Sequence, residues 1–160
     1  MTEGVTAERA MQQLVVYVDM DGVLCDFEKA HARDKTARPD VVYPQSQKGF
    51  YETLEPIFGA ISAMATLQKS HAINPYILTA PSLYNPLSYT EKRLWVETHL
   101  GFDWASKLIL SPDKSLLKGD YLIDDHASGC GQDLFEGQLI HFGTPEWPNW
   151  NAVLQHLVTD

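Results

Sequence analysis

Four short apolar runs most constrain what this chain can fold into: residues 14–18 (LVVYV), 76–78 (YIL), 108–110 (LIL) and 121–123 (YLI). Each is made of aliphatic residues, in three cases with one tyrosine, is too short for a buried helix, and reads as a buried strand. Between them the period changes. Ile57, Ala60, Ile61, Met64 and Leu67 recur at helical spacing, which predicts a helix over about 57–69. Residues 88–100 read as another helix, after a loop holding Pro81, Asn85 and Pro86. A polar stretch at 26–34 begins a further helix, and 138–142 is a candidate fifth strand. Trp150, Val153, Leu154, Leu157 and Val158 follow the i, i+3, i+4, i+7, i+8 stripe of a closing helix. Strands alternating with helices imply a three-layer, Rossmann-like α/β fold, its mainly parallel sheet wrapped on both faces. In such sheets ligands bind outside the carboxyl ends of the strands.

Those ends carry chemistry. The first run stops at Asp19-Met20-Asp21, the second at Thr79-Ala80, the third leads into Ser111-Pro112-Asp113-Lys114, and the fourth ends in Asp124-Asp125. Four carboxylates, a hydroxyl and an ammonium are thus delivered to one edge. Gathering Asp19, Asp21, Asp124 and Asp125 without a cation would raise their pKa values and cost stability. A hard divalent ion removes the conflict, and magnesium takes carboxylate, water and phosphate oxygens. Histidine is not grouped with these positions, which argues against zinc. An EF-hand loop counted from Asp19 fails at Val23, Leu24 and Ala30, and neither GxxxxGK[ST] nor GxGxxG is present. With magnesium and a phosphate in place, Thr79 and Lys114 gain a use as partners of the phosphate oxygens. One of the two leading aspartates can then attack phosphorus and the other can move the proton.

Length and charge narrow the class. At 160 residues the chain fits a single domain over 1–160. The formal net charge of -9 argues against a polynucleotide partner, since sequence-independent nucleic-acid binding needs a basic face. A small phosphorylated ligand needs only a few local cations. Cys25 and Cys130 make no disulfide framework and no CxxC. No apolar run approaches the ~18 residues of a membrane span, and MTEGVTAERAMQQ lacks the apolar core of a signal peptide. The expectation is a cytoplasmic protein without a membrane partner.

DMDG resembles the DxDG signature of the haloacid dehalogenase (HAD) superfamily of phosphatases. ILTAP is similar to its second motif, Lys114 to its third and LIDD to its fourth, in the superfamily's order. At finer grain, DMDGVLCDFE, ILTAPSLYNP, EKRLWVETHLG, LILSPDKSLLKGDYLIDD and PEWPNW resemble the 5′(3′)-deoxyribonucleotidases, over roughly residues 14–158. The resemblance implies a HAD-like domain with a small cap insertion at about 27–55. It implies a magnesium-dependent phosphomonoesterase that hydrolyses (deoxy)ribonucleoside monophosphates through an aspartyl-phosphate. Asp19 would be the nucleophile and Asp21 the general acid/base. Asp19, the main-chain carbonyl of Asp21 and a carboxylate of the Asp124/Asp125 pair would bind Mg2+, with Asp125 favoured. Thr79, Ala80 and Lys114 would hold the phosphate. Phe27 would help form the nucleoside pocket, with Phe50 and Tyr51 supplying the rest. Lys118 reads as a loop residue and Asp120 as lying at the wrong end of strand four. Family members often form homodimers, and nothing in the chain marks an interface.

Three departures bear on the substrate. Ala80 replaces a serine often found after the second-motif threonine, Pro112 stands where vertebrate members carry arginine, and the insertion is short. They leave open a sugar phosphate or another small phosphomonoester as substrate. A phospho-receiver module shares the architecture, but its acidic doublet follows the first strand, whereas here the doublet is late.

Overall fold

The computed structural model describes residues 12–158; most of the stretch read for signal-peptide character lies outside them. Five strands form one sheet: β1 (Leu14–Val18), β2 (Ile73–Thr79), β3 (Leu108–Leu110), β4 (Tyr121–Asp124) and β5 (Gln138–His141). Among the described residues four α-helices accompany them: α1 (Phe27–Ala37), α2 (Ala60–Lys69), α3 (Ser88–Leu100) and α4 (Trp150–Leu157). The strand order is β3-β2-β1-β4-β5, and all four pairings are parallel. All carboxyl ends therefore lie on one edge, with β1 at the centre. Among the described residues no helix is long and apolar enough to cross a membrane.

Alternation along the strands divides the core. Val16, Val18, Ile77, Ile123 and Ile140 face one side, where α2, α3 and α4 contribute Met64, Leu67, Trp95, Val96, Trp150 and Val153. Tyr17, Leu78, Leu122 and Leu139 face the other side under Phe135 and Leu117. That second covering layer is thin, built from loops and the 3₁₀ turns at Lys114–Leu116 and Gln132–Leu134.

Two boundaries differ from the periodicity. β2 begins at Ile73, upstream of the YIL run, and carries Pro75 inside it. Its pairing with the short β3 starts only at Ile77, so at Pro75 the strand has a partner on the β1 side alone. A proline without an N–H is tolerated there. α2 starts at Ala60 rather than 57, because Gly59 takes a left-handed φ of 81° and breaks the helical path.

Residues 27–55 leave the sheet edge as α1, a 3₁₀ turn at Pro44–Ser46 and a run of turns. Asp26 caps α1, its carboxylate accepting from Lys29 N at 3.1 Å. The segment's base is closed by an antiparallel bridge between Cys25 and Pro56. Its return is pinned by the buried indole of Trp95, which donates to the Leu54 carbonyl at 2.8 Å.

Candidate active site

The turn after β1 is folded back on itself. The amides of Leu24 and Cys25 both donate to the Met20 carbonyl, at 2.7 and 2.9 Å, and Gly22 N donates to the Cys25 carbonyl at 2.8 Å. Met20, Val23, Leu24 and Cys25 are all buried. Apolar side chains anchor the turn while Asp19 and Asp21 flank it. Asp19 N donates to the Ile123 carbonyl at 2.9 Å, which ties the end of β1 to the end of β4.

Lys114 sits at the centre. It follows β3 in a 3₁₀ turn, is buried, and its Nζ donates to Asp19 Oδ1 at 2.9 Å and to Asp124 Oδ2 at 2.5 Å. Asp124 is fully buried and also accepts from the amide of His126 at 2.9 Å and from Gln132 Nε2 at 3.4 Å. Asp125 is half-buried and less committed. Its Oδ1 lies 3.1 Å from His126 Nδ1, and its main-chain carbonyl lies 3.0 Å from His141 Nε2.

Charge crowding shows in the proton affinities. Burial pushes the Asp19 carboxyl well above the ordinary carboxylate range; the Lys114 ammonium opposes that, and the Asp124 and Asp21 carboxylates add to it. Burial pulls Lys114 down, but Asp19 and Asp124 more than offset it and leave its pKa raised. Burial also raises Asp125, opposed by His126 and the nearby Asp19 side chain.

The oxygen donors fit a hard cation. Asp124, Asp125 and His126 bring ligand atoms within 4.8 Å of one another. Gly22 adopts φ +82°, and a Cβ on it would lie 2.0 Å from Asp125 Oδ2. That carboxylate occupies space only a glycine leaves free, beside the backbone of Asp21. The expectation that histidine stands apart from the acidic group is corrected here. His126 adjoins Asp125 because it is the next residue after β4 and its amide is turned in to cap Asp124. Its side chain is 71% exposed, so it stands at the rim of an oxygen-rich centre.

The remaining candidates fall around this centre. Asp19, Asp21, Thr79, Ala80, Lys114 and Asp124 line one cleft of about 260 Å³, with the 128–132 loop on its far side. Phe27 lines an adjoining cleft of about 280 Å³ with Gly22, Glu28 and Asp125. Asp21 and His126 border both. The Phe27 ring meets Phe50 edge-on at 5.3 Å and stacks with His31 at 5.7 Å, and Tyr51 lies 6.3 Å away. Lys118 lies in a loop. Asp120 is at the opposite edge, where its Oδ2 accepts from Val15 N at 2.8 Å.

One buried site cation was not singled out by sequence reasoning. Lys92, on α3, is buried, and its Nζ donates to Thr79 Oγ1 at 2.6 Å, to the Ala80 carbonyl at 2.8 Å and to Asp21 Oδ2 at 3.0 Å. A signal existed. Ser88, Glu91, Lys92, Trp95 and Val96 form the buried stripe of α3, so Lys92 shares a helical face with the tryptophan.

A parallel α/β sheet with an acidic site at its central strand end is the architecture of the HAD hydrolases. YfnB of Bacillus subtilis, assigned to the HAD hydrolases and crystallised with magnesium, superimposes with a TM-score of 0.65 at 12% identity, covering 92% of this chain and all of that one. The profile of the family "5' nucleotidase, deoxy (Pyrimidine), cytosolic type C protein" matches residues 39–152. A 5′(3′)-deoxyribonucleotidase-like protein of Vibrio phage KVP40 is 36% identical over 100% of this chain and 94% of its own. The human cytosolic-type 5′(3′)-deoxyribonucleotidase is 32% identical over 87% of this chain and 78% of its own. The chain belongs to this nucleotidase family and is a phosphoric monoester hydrolase with a HAD-like fold. The phospho-receiver alternative is thereby removed.

Proposed function

We propose that the chain hydrolyses (deoxy)ribonucleoside monophosphates to nucleoside and phosphate, with Mg2+, through an aspartyl-phosphate on Asp19. The observation that carries this reading is the pair of adjoining clefts that share Asp21. An ester with its phosphate between Asp19, Thr79 and Lys114 and its nucleoside beside Phe27 has its bridging oxygen next to Asp21.

The steps follow from that placement. An Asp19 carboxylate oxygen attacks phosphorus; the bond to the nucleoside oxygen breaks, and that oxygen leaves with the electron pair and takes a proton from Asp21. Water then attacks the aspartyl-phosphate, Asp21 receives its proton, and Asp19 is regenerated as phosphate leaves. Lys114 neutralises charge on the phosphoryl group, and Thr79 donates its hydroxyl proton to a phosphate oxygen. Asp19, the Asp21 carbonyl and Asp125 would hold Mg2+, with Asp124 in support; bound there, the ion screens the carboxylates and polarises the phosphoryl oxygens. Asp125 is favoured over Asp124 because Lys114, the His126 amide and Gln132 already occupy the Asp124 oxygens.

Residues 27–55 act as a small cap within one domain spanning 1–160, and Phe27, which lines the cleft and is backed by the buried Phe50 and Tyr51, gives it an aromatic contact for a base. A cytoplasmic setting agrees with the human cytosolic-type relative. The test is phosphate release from nucleoside 5′- and 3′-monophosphates and from sugar phosphates, with Mg2+ and with excess chelator. Deoxynucleotides should be the better substrates, and chelation should stop turnover. A preference for sugar phosphates, or full activity in chelator, would refute the reading.

A further inference from the structure

We infer that Lys92 is a positioning residue that locks the acid/base aspartate to the phosphate-binding threonine. The inference rests on the proposed phosphatase reading of the site. It starts from valence. A lysine ammonium has three N–H donors and no acceptor, and Lys92 Nζ has three oxygen partners: Asp21 Oδ2, Thr79 Oγ1 and the Ala80 carbonyl. Every donor is spent. The side chain is 1% exposed, and water has little access to replace any of them.

Two consequences follow. At 2.6 Å from an obligate donor, Thr79 Oγ1 must accept, so the hydroxyl proton points elsewhere. Its other contact is a long 3.5 Å approach to the Ala80 carbonyl, which Lys92 already occupies. The hydroxyl proton is therefore free for a phosphate oxygen in the cleft that Thr79 lines. Second, Asp21 Oδ1 is buried without a partner, which leaves Oδ2 as the carboxylate oxygen open to the clefts. Lys92 grips that oxygen and sets the angle at which it meets a leaving group. One ammonium thus aligns the end of β1 with the end of β2.

The insertion takes part. The Tyr51 ring lies over Lys92, 5.1 Å from Nζ to the ring centroid, and seals it from solvent. Burial, then the Asp21 carboxylate, pushes the Tyr51 hydroxyl up to about 12. The ring stays neutral and apolar against the ammonium at any ordinary pH.

The test compares wild type, Lys92→Met and Lys92→Ala on a deoxynucleoside monophosphate with saturating Mg2+. Loss of a positioned acid/base group predicts a kcat at least about 100-fold lower in both variants, with KM changed far less. Propylammonium should restore activity to Lys92→Ala, and n-propanol, of the same size but uncharged, should not. A merely space-filling lysine predicts equal rescue by both and near-normal kcat in Lys92→Met, and either result overturns the inference. Melting curves of both variants accompany the assay, and the amine-against-alcohol contrast reads whichever variant folds. A wild type that releases no phosphate from nucleotides would sink the phosphatase reading itself. An active wild type with an equally active Lys92→Met would sink only the role of Lys92.

Discussion

Gly22 is the residue on which the acidic centre turns. Its left-handed φ is strained for an L side chain by about 1–2 kcal/mol, and the missing methyl is the space that Asp125 Oδ2 fills. Gly22→Ala should displace that carboxylate, raise the Mg2+ concentration needed for half-maximal activity, and cut kcat/KM by about 10–100-fold; a metal titration checks this. Tyr51 supplies a pH prediction. Its pKa of about 12 lies above its ordinary value, so the folded state holds the proton more tightly than the unfolded chain. That stability is fully present below about pH 10 and declines as pH rises toward 12. Tyr51→Phe should lose the extra alkaline slope, read by urea unfolding between pH 9 and 11. Most site residues at this scale were legible because each directly follows an apolar run, and a parallel sheet fixes where strand ends lie. Lys92 was less so: its i, i+3 spacing to Trp95 puts it on one helical face with a large aromatic, but whether α3 turns that face to the strand ends is fixed only by packing.

At the scale of elements, two tryptophans hold the site's supports in place. Trp150, the first residue of α4, donates its indole N–H to the Val23 carbonyl at 2.9 Å inside the core. Trp95 does the same for Leu54 at the foot of the insertion. Trp150→Phe keeps the aromatic packing but leaves a buried carbonyl unpaired, which should cost about 1–3 kcal/mol in chemical denaturation and loosen the Met20–Cys25 turn that carries Asp21. Asp120 works at the other edge of the sheet, accepting from the amide of Val15 near the start of β1. Asp120→Ala should destabilise by about 1 kcal/mol while kcat stays within twofold of wild type, since it lies far from the clefts. The helix over 88–100, set off by the turn-forming loop before it, and the continuous apolar runs at 14–18 and 108–110 were readable to the residue. β2 extended through Pro75 unread, because the one-sided pairing that permits a proline is a property of the sheet. The insertion lacked any period because its order comes from contacts with Trp95 and Asn85 on the core side, the latter donating to the Gln45 carbonyl at 2.9 Å.

Over the whole molecule, charge and fold act together. A net charge of -9 would repel a phosphorylated ligand at long range, and among the described residues the site gathers Asp19, Asp21, Asp124 and Asp125 against the ammoniums of Lys92 and Lys114. A divalent cation offsets that excess, so Mg2+ should stabilise the folded protein. At about 100 times its dissociation constant the gain is about 2.7 kcal/mol, or about 5–10 °C in melting temperature for a chain of this size. Asp125→Asn should abolish most of that shift. The central claim is that Asp19 attacks phosphorus at the end of the central strand. Its most direct test is steady-state phosphate release from a deoxynucleoside monophosphate by Asp19→Asn, assayed beside wild type with Mg2+ and with matched melting curves. Turnover lost with the fold intact is the predicted result; turnover near that of wild type would contradict the account.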